Sequence, residues 1–274
     1  MRKSRGQRII AKKETSGLNM STYTSWLKSN PSVLSLLRTN SKTLPWLAIG
    51  VVLSGIALFV STISVPVIKV QPGCWVWKEP DIELAQEYKH WVLYQGDIIA
   101  DNSNIFVKRG VMPVHIEDHE LTLLFRIYAL PDVELLAKQV SYAIEQWEMH
   151  DTNIQSIQLD YDAASSELAR YARYVRALKH ALPDIHLSIT GLVSWYDDNF
   201  PDLITLGAEV EYIAFQLYQN YAPLARAEQY ASRLTNYPYP YKLGITMHEG
   251  FSEYRFKEGP HYLGDMVFIN SRKR

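Results

Sequence analysis

Ile154-Gln155-Ser156-Ile157-Gln158-Leu159-Asp160-Tyr161-Asp162 splits by parity into two chemically different sets. Ile157, Leu159 and Tyr161 form one, and Ser156, Gln158, Asp160 and Asp162 form the other. Successive side chains of a strand point to opposite faces, so this pattern predicts a strand with an apolar and a polar face. The habit recurs. Leu123, Phe125 and Ile127 oppose Thr122, Leu124, Arg126 and Tyr128, while Leu187 and Ile189 oppose Ser188 and Thr190. Ile213, Phe215 and Leu217 oppose Tyr212, Ala214, Gln216 and Tyr218, and Leu243, Ile245 and Met247 oppose Lys242, Gly244, Thr246 and His248.

Further β-type runs at 91–97 and 266–269 flank these strands, and helical patterns at 132–149, 165–182 and 222–234 lie between them. Alternation of this kind predicts parallel βα units. Counting one more strand in 104–116 gives eight, and an α/β, TIM-type (β/α)8 barrel is the natural closure. The chain stops just after the last candidate strand, so the barrel is expected to be incomplete at its C-terminus. An open doubly wound sheet is the alternative, and an antiparallel sheet with one wet face is the blander one. In a barrel the apolar sets face the helices. The polar sets then point inside, which is costly unless they are paired or hydrated.

Asp160 and Asp162 are the sharpest candidates for chemistry. Two residues apart on one strand, their Cα atoms lie ~6.6 Å apart on the same face. Like charges so close raise one pKa, which leaves a proton donor beside an ionised neighbour. Protonating a glycosidic oxygen while stabilising positive charge needs such a pair. Two structural alternatives stand beside this: Asp162 as cap of a helix starting near Ser165, and Asp160 in a buried ion pair with Arg126. Arg126, Gln158, Gln216, Tyr218 and His248 share the inward parity and are read as substrate-binding. Trp195, followed by Tyr196-Asp197-Asp198 at a strand end, is read as lining a glycan cleft, with core packing as the competing role. Trp147 sits in a helical pattern and is assigned to packing. His248-Glu249 is read either as a site pair or as a single pocket hydrogen-bonding histidine.

A resemblance adds to this. Ile157-Gln158-Leu159-Asp160-Tyr161-Asp162-Ala163, then Tyr171, Leu178, Leu182-Pro183 and Leu187-Ser188-Ile189-Thr190-Gly191-Leu192-Val193-Ser194-Trp195, resemble the bacterial domain of unknown function 3142 family over most of 88–270. That family implies a fold and no assigned reaction. More remotely, the segment is similar to glycoside hydrolase family 18, whose fourth strand carries Asp-x-x-Asp-x-Asp-x-Glu. Gln155, Gln158, Asp160 and Asp162 fall on its marked positions, and only the third is identical. Gln216-Leu217-Tyr218-Gln219 resembles the Met-x-Tyr-Asp motif of the sixth strand, where the tyrosine holds an acetamido group. The missing acids weigh against substrate-assisted chitinase chemistry.

The rest of the chain sets the context. Of 274 residues, 47% are hydrophobic, and 28 Lys plus Arg oppose 29 Asp plus Glu, which excludes disorder and a general nucleic-acid binder. The balance is uneven. Residues 1–44 carry nine basic side chains and one acid, leaving 45–274 at about -9. Trp46 to Ile68 is a run of 23 uncharged, mostly apolar residues, long enough at ~1.5 Å per residue to cross a ~30 Å hydrocarbon core. The basic flank precedes it, so the positive-inside rule predicts a cytoplasmic N-terminus and a periplasmic or extracellular C-terminal domain. A cleaved signal peptide competes, yet the tail before the run is long and Ser64-Val65-Pro66 is a poor cleavage site. The expected organisation is a basic tail over 1–44, a single-pass inner-membrane helix over 45–68, a linker over 69–80 and the barrel over 81–274.

A single cysteine, Cys74, excludes an intrachain disulfide and a multi-cysteine zinc site. No histidine spacing suggests a metal, and no phosphate loop, dinucleotide fingerprint or Gly-x-Ser-x-Gly elbow occurs. No cofactor is expected. Three functions follow: a membrane-anchored glycosidase-like barrel acting on an envelope or extracellular polysaccharide, a sugar-binding barrel without catalysis, and a tethered assembly protein.

Overall fold

The computed structural model describes residues 72–99, 106–252, 254–256 and 258–270. The chain divides into two units, Met1–Val67 and Ile68–Arg274, and the described residues belong to the second. The basic tail and the apolar run at 46–68 lie outside the described residues. Within them, no helix is long and apolar enough to cross a membrane.

Eight parallel strands close into a barrel. In chain order the strands are β1 (Gly73–Val76), β2 (His90–Ile98), β3 (Phe106–Lys108), β4 (Glu120–Ile127), β5 (Ser156–Asp160), β6 (His186–Leu192) and β7 (Ile213–Gln216). They are followed by β8 (Tyr218–Gln219), β9 (Ala222–Pro223), β10 (Tyr241–Thr246) and β11 (Tyr262–Phe268). The wall runs β1-β2-β4-β5-β6-β7-β10-β11, and β11 pairs back onto β1. Every pairing in that ring is parallel. The open-sheet and antiparallel alternatives are thereby excluded. Segment 104–116 is a correction: it yields only β3, which lies antiparallel on the end of β2. The eighth wall strand is β1, inside the expected linker 69–80. The four residues of this strand, between Pro72 and Trp77, are too few to announce a strand.

Helices link most of the wall strands. They are α1 (Ile82–Ala85), α2 (Val133–Glu148), α3 (Leu168–Ala181), α4 (Ser194–Asp198), α5 (Phe200–Gly207) and α6 (Ala227–Leu234). Asp132 starts α2 by accepting from the backbone N–H groups of Glu134 and Leu135, at 3.0 and 3.2 Å, which satisfies two of the orphan donors of the first turn. Leu136, Val140, Ala143, Ile144 and Trp147 then recur on one face and are buried, as helical spacing requires. Trp147 is packing residue and anchor together, its indole N–H donating to Gln95 Oε1 at 2.9 Å. Only a 3-10 turn and the short α1 follow β1, and a 3-10 turn follows β10, which is how eight strands fit a short domain.

Parity holds on every strand that carried it. Ile157, Leu159, Leu123, Phe125, Ile189, Phe215 and Leu243 belong to the core between wall and helices. Burying each large apolar side chain there contributes roughly 1.5–3 kcal/mol. A second cluster of Trp75, Val92, Tyr94, Leu124, Tyr212, Ala214 and Met266 fills the barrel interior, beside buried Gln158, Ser188, Thr190 and Lys242. The interior is therefore packed at mid-height and polar toward both ends.

Candidate functional site

The register of β4 and β5 sets Arg126 directly beside Asp160 at the C-terminal end of the wall. Asp160, Asp162, Arg126, Thr190, Gln216 and Tyr218 all line one pocket of about 360 Å³, with Trp75, Trp77, Tyr221 and Phe268 among its walls. A second lobe of about 860 Å³ shares Arg126, Asp162, Gln216, Tyr218 and Asn220 with it, so the two form one cleft across the mouth. Barrel chemistry sits at this end because the strand ends and following loops converge there.

Neither structural alternative for the two aspartates is observed. Asp160 accepts from Thr190 Oγ1 at 2.6 Å and from Gln216 Nε2 at 3.4 Å, and no ion pair joins it to Arg126. The 3-10 turn at Ser165–Glu167 has Ala164 as its cap residue, without a side-chain cap. Burial raises the pKa of Asp160 above the usual carboxylate range; the Thr190 bond opposes this, and the charge of Asp162 adds to it. The deeper carboxyl thus retains a proton more readily, while Asp162 is exposed where the lobes meet.

Aromatic rings build the walls. Tyr218 stacks on Phe268 with centroids 5.8 Å apart and planes 5° from parallel, and Trp77 stacks on Tyr94 at 4.2 Å. The Arg126 guanidinium lies 5.9 Å from the Trp77 ring centre and 5.1 Å from that of Tyr128. Burial pushes the Tyr218 phenol far above its ordinary range, so it is a neutral hydrogen-bonding group. Gly244 permits Trp75 to enter the interior, because a Cβ there would meet the indole at 2.8 Å.

The hairpin β8–β9 projects Asn220 and Tyr221 into the cleft, with φ of 50° and 76°. Positive φ at both central residues is what a type I′ hairpin demands, and it is strained for a tyrosine. Thr246 Oγ1 donates to the Tyr221 carbonyl at 2.7 Å and holds the turn in place.

Three expected site residues are not in the cleft. Gln158 is 0% exposed, one layer below Asp160; its Oε1 accepts from Trp75 Nε1 at 2.6 Å and its amide reaches Ser188 Oγ and Tyr212 Oη at 3.2 and 3.3 Å. It supports the floor. Trp195 lies on α4, after β6 has ended at Leu192; it is 0% exposed and donates to the Ala163 carbonyl at 2.9 Å, fixing the chain that leaves Asp162. His248 accepts from the Gly250 N–H at 2.9 Å and caps a 3-10 turn. Trp75, Trp77, Asn220 and Phe268 line the pocket and escaped the reading of the sequence, while Thr190 was read as inward-facing without a role in the site. Cys74-Trp75-Val76-Trp77 does alternate, which was the available signal for two of them. Among the described residues, no group of three or more His, Cys, Asp or Glu is placed to hold a metal ion.

Residues 126–235 match the family described as Domain of unknown function (DUF3142). The match runs from the end of β4 through α6 and includes Arg126, Asp160, Asp162, Gln216 and Tyr218. It is narrower than the 88–270 expected from the sequence, and it assigns no reaction. Among solved structures, the chain is similar to the catalytic domain of a family GH18 chitinase from fern, Peteris ryukyuensis. The likeness has 12% identity, covers 74% of this chain and 94% of that one, and has a TM-score of 0.48. No curated protein matches.

Proposed function

We propose that the protein is a membrane-anchored glycoside-hydrolase-like barrel acting on an envelope or extracellular polysaccharide, with its site at the C-terminal mouth. The observation that carries this is the pair Asp160 and Asp162 in one cleft walled by Trp75, Trp77, Tyr218, Tyr221 and Phe268. Pyranose rings present apolar faces to aromatic walls and hydroxyls to Gln216, Arg126 and Tyr218. Asp162, exposed at the junction of the lobes, is the group that reaches a glycosidic oxygen and protonates it. Asp160, held by Thr190 and Gln216 and the readier of the two to keep a proton, holds the proton of the pair and passes it to Asp162, which delivers it to the leaving oxygen.

Incubating the full-length chain with a panel of polysaccharides, and measuring new reducing ends, tests this reading. Asp162→Asn keeps the shape of the carboxyl but cannot deliver a proton, so turnover is expected to fall by about 10²- to 10⁴-fold with the melting temperature unchanged. Equal turnover in both proteins would refute the acid role. Glycan binding without product release in wild type would favour the binding-only barrel, a reading that Gln219, standing in the second lobe where the resembling motif has an acid, supports.

The anchor rests on the 23-residue apolar run and its basic flank. A reporter enzyme fused after residue 270 is expected to be active outside the cytoplasm. Activity confined to the cytoplasm would refute the topology.

A further inference from the structure

We propose that the glycan held at this mouth is acidic, a uronic-acid-containing oligosaccharide whose carboxylates are taken by Arg126 and Arg226. This deepens the glycan reading and rests on it. The body of the chain carries an excess of acids, about -9 over residues 45–274, and of the described arginines outside the cleft four meet a carboxylate, while Arg173 and Arg255 lie exposed on the surface without one. Arg109 meets Asp97 at 3.1 Å, Arg170 meets Glu167 at 3.4 Å, Arg176 meets Glu209 at 2.7 Å, and Arg233 pairs with Asp197.

The two arginines that line the cleft behave differently. Among the described residues, neither Arg126 nor Arg226 has a carboxylate within ion-pair distance or a hydrogen-bond acceptor for its guanidinium. Both line the larger lobe. Arg126 is positioned by ring faces, Trp77 and Tyr128, which restrain the guanidinium without using its N–H groups. A planar fork with free donors matches a carboxylate in bidentate fashion. Asp160 and Asp162 share the same mouth, so a singly charged carboxylate is tolerated better than a doubly charged phosphate.

The test is a glycan array probed with the full-length chain in detergent. It carries oligogalacturonates, hyaluronan fragments, the carboxyl-reduced neutral counterpart of each, sulfated oligosaccharides and chito-oligosaccharides. A charge-assisted bond contributes about 1.5–3 kcal/mol, so uronate-bearing ligands are expected to bind about tenfold or more tightly than their carboxyl-reduced counterparts. That ratio is expected to shrink in about 0.5 M salt. Arg226→Gln, a change on an exposed side chain, is expected to lower the ratio several-fold, and Arg126→Lys, which keeps charge but not the fork, to lower it as well. Equal or tighter binding of the neutral counterparts overturns the inference and leaves the glycan reading standing. Preference for sulfated ligands over uronates overturns the carboxylate class. Binding of no glycan removes the glycan reading and the inference with it.

Discussion

The two ends of the barrel interior are both polar, and they are built on opposite principles. At the N-terminal end, a cavity of about 750 Å³ is lined by His90, Thr122, Ser156, Tyr212 and Lys242, among others. It is larger than the inner lobe at the other mouth, yet its buried polar groups satisfy one another. Lys242 Nζ donates to His90 Nδ1 at 3.0 Å, which leaves the ring proton on Nε2 to donate to Thr122 Oγ1 at 2.9 Å. Thr122 then meets Ser156 at 2.6 Å, and Ser156 donates to the Leu121 carbonyl at 3.0 Å. Each link uses one proton, and the chain ends on backbone. The C-terminal mouth instead keeps Arg126 without an acceptor and Asp162 facing solvent. Volume does not separate the ends, since the cavity of about 750 Å³ lies between the two lobes of the mouth, about 360 and 860 Å³, in size; unspent hydrogen-bonding capacity does.

The ends should also respond to pH with opposite sign. Burial, aided by the charge of Lys242, pushes the His90 pKa down to about 3. Below about pH 6.5 the unfolded chain takes up a proton that the folded chain refuses, so stability is lost as pH falls from 6.5 toward 3. At 1.36 kcal/mol per unit this amounts to about 4–5 kcal/mol. His90→Gln is expected to remove that part of the acid loss, seen by comparing urea unfolding of the two full-length proteins across this window. Identical acid limbs would show that His90 is not held neutral.

Gln158 separates the two ends and sharpens the comparison. It was read as a ligand-binding residue because its parity is inward, and inward it is. Parity gives the face of a strand but not the height along it, and a residue one layer too low meets Trp75 instead of a sugar. Gln158→Met is expected to cost about 1–3 kcal/mol, since the Trp75 N–H is left buried without an acceptor. Loss of glycan affinity with unchanged stability would return Gln158 to the site.

The same limit explains what else was legible. Five strands with a polar and an apolar set made the barrel and its inward residues readable, and Arg126, Asp160, Gln216 and Tyr218 do converge. Trp195 and His248 stand outside the cleft because β6 and β10 end earlier than the pattern suggested, at Leu192 and Thr246, so Trp195 packs from α4 and His248 caps a 3-10 turn. Trp77 was missed because it follows a strand of only four residues, whose alternation is too short to announce a strand.

Asp160 gives the smallest effect and the opposite sign to His90. With its pKa raised, the folded state holds a proton that the unfolded state releases, so its contribution is full below the usual carboxylate range and lost as pH rises through the folded value. Asp160→Asn is therefore expected to melt slightly higher than wild type at pH 7, the gain vanishing in acid. The sequence alternative, an ion pair with Arg126, called for a loss instead.

A crystal structure of the full-length chain with the tightest-binding oligosaccharide of the array decides most directly between the two ends. The expected result is a sugar ring against Trp77 and Phe268, with a glycosidic oxygen within hydrogen-bond distance of Asp162. Sugar bound beside Lys242 in the N-terminal cavity, with the C-terminal mouth left empty, would contradict it.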